Sequence, residues 1–220
     1  MSLRPFTAID LANLRSFGGL DLASTSDLAA LVFVGHISGP RYRLLSRFWC
    51  PEDNLQALER SSRMPYQMWA EKGFLTATPG NVIDYDFIRE EIKSLALKLD
   101  VQKIMVDAWN AQQLALKLRD EDGIPIEFLT QGFRSLSAPT KEFKRLIDAK
   151  LIEHDGNPVM RWCVSNAIGV MDAMQNVKLD KKKSRQKIDG AAAAVNAIAG
   201  ILADVDEGPS VYETRGLLST

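Results

Sequence analysis

Apolar residues run almost unbroken through 28–34, and β-rich stretches occupy 17–23, 28–37 and 41–50. "SGP" at 38–40 supplies a turn between the second and third. Strands so close in sequence pair antiparallel, because a parallel pair needs a long crossover. After residue 50 the period changes. "PEDNLQALERSS" reads as a helix with Pro51 near its first turn, and "MPYQMWAEKG" as a second that stops at Gly73. "FLTATPG" is a short extended piece ending in a turn. "DYDFIREEIKSLALKL" places Phe87, Ile88, Ile92, Leu95 and Leu99 at helical spacing. "KIMVDAW" is a short apolar strand at 103–108. "NAQQLALKLRDEDG" is a helix capped by Asn110 and closed by Gly123, and "IPIEFL" is a strand. "SAPTKEFKRLIDAKL" predicts a helix with Ser137 at its N-cap, and "NPVMRWCVSNAIGVM" a helix opened by Pro158. "KIDGAAAAVNAIAGILADV" is the last helix. Three antiparallel strands, then helix, strand, helix, strand, helix, predict an α/β fold with a mixed central sheet.

Composition narrows the class without choosing a function. The chain has 220 residues, 46% hydrophobic and 25% charged, as in an ordinary folded domain. No apolar run approaches the roughly 18 residues of a membrane helix, so no membrane partner is expected. "MSLRPFTAID" lacks the basic flank and apolar core of a secretory signal. Cys50 and Cys163 lie far apart, which does not read as a disulfide framework and fits a reducing compartment. With only His36 and His154 beside them, a zinc site rich in His and Cys is excluded. The net charge of −1 is silent on polyanions, but its distribution is not. "KLDKKKSRQK", 178–187, holds six of the 27 basic residues and one acidic one. Such a run is equally a solvated loop or a surface that meets phosphates.

Candidate chemistry sits on the carboxylates. In "GGLDLASTSDLAALVF", 18–33, Asp21 stands among apolar and small neighbours on a strand that is being buried. A buried carboxylate is costly unless a donor, a cation or a metal ion meets it. Asp107 ends "KIMVD", and carboxyl ends of parallel strands share one edge where ligand sites collect. If these two strands are neighbours, both carboxylates face one crevice. Asp189 opens the last helix directly after the basic run. Each has a plainer reading: Asp107 as a strand-end cap, Asp189 as a first-turn residue facing the helix dipole. Asp27 reads as a solvent-facing residue at a bend, and Asp84 and Asp86 as the N-cap region of a helix. A three-Asp set of hard oxygen ligands would select Mg²⁺ or Mn²⁺. Two such ions about 3.5–4 Å apart can hold the attacking and leaving oxygens of a phosphoryl transfer.

The stretches "GGLDLASTSDLAAL", "GFLTATPGNVIDYDFI", "VDAWNAQQL", "QGFRSLSAPTKEF", "GNPVMRWCVSNA" and "SRQKIDGAAAAVNAI" occur in one order over roughly residues 15–200. In that ordered set the chain resembles the nuclease domain of the large terminase subunit of tailed bacteriophages. That motor-nuclease cuts concatemeric DNA during packaging. The resemblance implies an RNase H-like fold and a metal-dependent endonuclease. It carries a two-metal acidic cluster onto Asp21, Asp107 and Asp189, with two Mg²⁺ or Mn²⁺ ions. Asp84, Asp86 and Glu90 are further candidates for the metal shell. Lys181, Lys182, Lys183, Arg185 and Lys187 are the expected contacts to double-stranded DNA, Lys187 by its position beside the last Asp. The implied partners are the small terminase subunit and the portal, in the cytoplasm of a bacterial host. A packaging ATPase domain precedes the nuclease in such proteins, and no G-x-x-x-x-G-K-[ST] loop occurs here. Residues 1–14 then read as a lead-in, 15–205 as the nuclease domain and 206–220 as a tail. The chain would be an excised domain or a truncated prophage gene product.

Three other readings stand beside this one. "DLAST" faintly resembles the phosphate loop of actin-like and sugar-kinase ATPases, but their other Gly-rich loops and second lobe are missing from the sequence. A resolvase or transposase-type nuclease would use the same acidic logic. A non-catalytic module that grips or docks DNA would need none of it.

Overall fold

The computed structural model describes residues 7–22, 27–107 and 111–206. The opening strands form as the apolar run predicts: β1 (Arg15–Asp21), β2 (Ala29–Ser38) and β3 (Arg41–Pro51), antiparallel in order. β2 is buried from Ala29 to Gly35, which is why its sequence is apolar on both sides of the pleat. β5 (Asp100–Asp107) joins β1 in parallel, and β6 (Ile126–Leu129) joins β5. β4 (Thr76–Thr78) and β7 (Ile152–His154) pair in parallel with opposite ends of β3. The resulting order is β4-β3-β2-β1-β5-β6, with β7 beside β3.

Helices cover both faces. α3 (Tyr85–Ala96) and α4 (Gln112–Asp120) pack Ile88, Ile92, Leu114 and Leu118 on the face built by Leu20, Leu31, Phe33 and Val106. α5 (Phe133–Asp148), α6 (Pro158–Asn166) and α7 (Asp189–Asp206) cover the face that carries Phe17, Val32, Val34 and Phe48. α1 (Leu55–Ser62) and α2 (Tyr66–Glu71) extend that second layer, with the rings of Tyr66, Trp69 and Trp162 within 6 Å of one another. Among the described residues no helix is long and apolar enough to cross a membrane.

α7 lies unusually close to the sheet. A Cβ on Gly19 would stand 2.0 Å from the Ala193 carbonyl oxygen and 2.4 Å from the Ala197 nitrogen. No side chain fits there, so glycine in β1 and alanines in α7 let two backbones touch. Asn196, buried on the same helix, donates from Nδ2 to the Leu20 carbonyl at 3.2 Å and ties α7 to β1 beside Asp21.

Several local expectations shift. Pro51 ends β3 and precedes a 3₁₀ turn at Glu52–Asn54, so the helix itself begins at Leu55. Ser137 is not an N-cap: α5 starts at Phe133, and Ser137 is buried inside it, its hydroxyl accepting from the Val177 amide at 3.1 Å. The helix expected to run through Met171 stops at Asn166, because 169–171 pair instead with 177–179 in a hairpin of β8 (Gly169–Met171) and β9 (Val177–Leu179). Asp172 accepts from the Met174 and Asn176 amides and shapes that turn. The expected cap at Asn110, and the ends of the first strand at residue 23 and the fifth at residue 108, lie outside the described residues.

Candidate metal and nucleic-acid site

β1 and β5 are parallel neighbours, and their register decides the site. Leu20 lies opposite Val106, so Asp21 and Asp107 are the next residues at the same level. Side chains alternate along a strand. Leu20 and Val106 fill the core under α3 and α4, which sends Asp21 and Asp107 to the α7 face. There α7 begins, with Asp189 as its first residue. Asp21, Asp107 and Lys181 line one cavity of about 430 Å³, with Gln131, Thr140 and Asn196 on its inner wall.

Asp21 and Asp189 are buried, 6% and 4% exposed, and Lys181 on the cavity wall reaches between them. Its ammonium donates to Asp21 Oδ1 at 3.0 Å and to Asp189 Oδ1 at 2.9 Å, and lies 2.8 Å from Asp21 Oδ2. Both Oδ2 atoms are buried: that of Asp21 has only the ion contact with Lys181, and that of Asp189 has no hydrogen-bond partner. Burial is the main force on Asp21. It pushes the carboxyl up to about 6, against the pull of Lys181 and with the repulsion of Asp189 and then Asp107. For Lys181 burial works to lower the value, but the charges of Asp21 and Asp189 outweigh it and hold the ammonium well above its ordinary range.

Two of the three predicted acids are therefore brought into one charge cluster, and Asp107 shares the cavity wall at their level. Among the described residues no group of three or more His, Cys, Asp and Glu is gathered as tightly as a metal shell. The donor chemistry nevertheless fits a hard divalent cation. The acids are all carboxylates, and the buried Asp189 Oδ2 has no hydrogen-bond partner.

The remaining candidates separate. Asp84 caps α3 by accepting from the Asp86 and Phe87 amides, Asp86 pairs with Lys117, and Glu90 pairs with Lys93. All three sit on the helix that packs against the other face of the sheet, so none joins the cluster. Asp27 lies at a bend, but half-buried and paired with Lys187 rather than facing solvent alone. Cys50 and Cys163 are buried and unbridged, and burial pushes the Cys50 thiol up to about 12, so neither supplies a thiolate.

The basic run is an ordered turn. Asp180 Oδ1 accepts from the Lys182 and Lys183 amides, and Ser184 Oγ donates to the Asp180 carbonyl while accepting from the Ile168 amide. That turn aims the Lys181 ammonium at Asp21 and Asp189, and Lys182, Lys183 and Arg185 are exposed. Lys182 lines the cavity, as does Lys178 on β9, whose ammonium sits 4.9 Å from the Phe133 ring centroid. Lys178, Gln131, Thr140 and Asn196 were not singled out from sequence. Lys178 carried a signal as the first residue of the basic run, and Asn196 as a residue two turns from Asp189 on one helix.

A mixed sheet with three antiparallel strands followed by parallel ones, and carboxylates at the carboxyl ends of its central pair, defines an RNase H-like domain. Residues 5–204 match the family "Terminase large subunit, endonuclease domain", and the chain belongs to it. It is 31% identical over 195 residues to the large terminase subunit of Enterobacteria phage HK97, covering 87% of this chain and 38% of that protein. The crystal structure of the HK97 large terminase superposes with a TM-score of 0.81 at 30% identity, over 90% of this chain and 40% of that one. The large terminase nuclease of the thermophilic phage G20c, solved with bound magnesium, shares the fold at a TM-score of 0.54 and 11% identity, over 89% and 84% of the two chains. The chain thus spans well under half the length of the HK97 protein.

Proposed function

We propose that residues 15–205 form a divalent-metal-dependent DNA endonuclease that cuts concatemeric phage DNA during genome packaging. The observation that carries this reading is the buried Asp21–Asp189 pair, with Asp189 Oδ2 lacking a hydrogen-bond partner, beside a cavity that Asp21 and Asp107 line together with Lys178, Lys181 and Lys182. The family supports the nuclease activity, and the magnesium in the G20c nuclease supports the metal. Asp21 and Asp189 are the ligands proposed first, with Asp107 completing a site for two Mg²⁺ or Mn²⁺ ions. Bound there, such ions supply a polarised phosphate and an activated water.

The chain's own residues do the rest. Backbone contact between β1 and α7 fixes the separation of the two acids. Lys178 and Lys182 raise the local attraction for phosphate at the cavity mouth, and Lys183 and Arg185 extend it outward. Lys187 is less available than expected, being paired with Asp27. No base-reading element stands out, so cleavage by this domain alone is expected to be sequence-tolerant. In the packaging complex the proposed partners are double-stranded DNA, the small terminase subunit, the portal and an ATPase domain, in the host cytoplasm.

The test is nicking of supercoiled plasmid with Mn²⁺, comparing the protein with Asp21→Ala and Asp189→Ala. Cleavage that needs Mn²⁺ and both acids supports the reading. Cleavage equal in wild type and variants sinks the site. DNA binding with no cleavage under any metal would make the domain a gripping module instead.

A further inference from the structure

The Lys181 ammonium does more than neutralise a neighbour. It stands between carboxylates from two different elements, 2.8 to 3.0 Å from three of their four oxygens. A divalent ion held by Asp21 and Asp189 would take oxygens that the ammonium occupies, and an ammonium and a metal cannot hold one position together. Asp21 and Asp189 with one lysine carry a net unit negative charge, to which Asp107 adds, so a divalent ion would offset more of it than one ammonium does.

The rest of Lys181 is built for leaving. Its side chain is 51% exposed while its carboxylate partners are buried, so the ammonium can swing into solvent without unpacking the core. Its backbone, by contrast, is anchored. The hydrogen bonds that Asp180 accepts from Lys182 and Lys183, and the Ser184 bridge to Ile168, fix where the stem begins. An anchored stem with an exposed side chain returns its ammonium to the same place whenever the site is vacated.

We propose that Lys181 is an intramolecular competitor for the metal: its ammonium holds Asp21 and Asp189 together in the metal-free domain and is displaced when a divalent ion binds. This rests on the metal-site reading above. Occupancy by the lysine lowers the apparent metal affinity by the fraction of molecules left competent to bind.

The experiment measures Mn²⁺ binding by calorimetry on the protein and on Lys181→Met, which keeps the stem and removes the charge. Lys181→Met is expected to bind Mn²⁺ about tenfold more tightly or better, and to melt at a lower temperature without metal, with Mn²⁺ restoring it. Unchanged or weaker binding overturns the proposal. Asp21→Asn separates the two levels of inference. If it binds Mn²⁺ as the wild type does, the metal-site reading itself is wrong. If it loses binding while Lys181→Met is unchanged, only the competitor is wrong. A measurement on the wild type covers the case in which Lys181→Met does not fold. The lysine ammonium ¹⁵N resonance of Lys181 should be protected from solvent exchange without metal and lose that protection at saturating Mg²⁺. Persistence of the protected signal at saturation refutes displacement.

Discussion

Replacing Asp21 by Asn should stabilise the metal-free domain. The carboxyl is pushed from an ordinary 3.8 up to about 6. At about 1.4 kcal/mol per unit, ionised Asp21 at pH 7.5 costs the folded state about 3 kcal/mol relative to the unfolded chain. Asn keeps the shape and removes that cost. The attraction of Lys181 is already contained in that value, but the Asn amide brings a buried NH₂ that must find acceptors, which offsets part of the gain. A net gain of about 1–2 kcal/mol follows, or about 2–8 °C in melting temperature for a chain of this length. The pH dependence has a definite sign. A carboxyl raised in the folded state binds more protons there than in the unfolded chain, so wild-type stability from this group is fully present below pH 4 and lost as pH rises through about 6. The advantage of Asp21→Asn should therefore be largest at pH 7–8, shrink through pH 6 and vanish near pH 4. Urea unfolding in EDTA across pH 4–8 measures it. A variant less stable than wild type at pH 7.5 would refute the reasoning and make Asp21 a structural acceptor. A difference that does not change with pH would refute it too.

Gly19→Ala forces a methyl group into the Ala193 carbonyl at 2.0 Å, and neither backbone can yield without separating α7 from β1. A loss of about 3 kcal/mol or more is expected in urea unfolding, and a loss under about 1 kcal/mol would show that the helix shifts freely. Lys182→Ala with Lys183→Ala should weaken DNA binding alike for all sequences and lower the slope of log affinity against log salt by about 2, read by fluorescence anisotropy. An unchanged slope would return both lysines to solvent-facing roles.

How much was readable beforehand depended on the range of the interactions involved. The opening strands follow from β-rich runs and their turn, α3 from hydrophobic period, α4 from its start and stop residues and α7 from alanine-rich helix propensity, all of which are local signals. The hairpin of β8 and β9 was hidden: its three-residue strands are only partly buried, and their partner lies across a turn shaped by Asp172. Ser137 looked like a cap because small hydroxyl residues often are. In the fold α5 begins one turn earlier, and the hydroxyl serves the hairpin instead.

Asp21 was conspicuous in sequence as a charge on a buried strand, and Asp107 and Asp189 as acids at element ends. Their types, and the basic run before Asp189, are properties of the chain itself. Their meeting is not, since the chain carries no local motif that links them. It arises from the parallel register that sets Leu20 beside Val106, and from the glycine–alanine contact that brings the start of α7 against β1. The turn of Lys181 toward the acids is likewise a tertiary fact. Hydrogen bonds around Asp180 aim it, and only two buried carboxylates from distant parts of the chain give it somewhere to go.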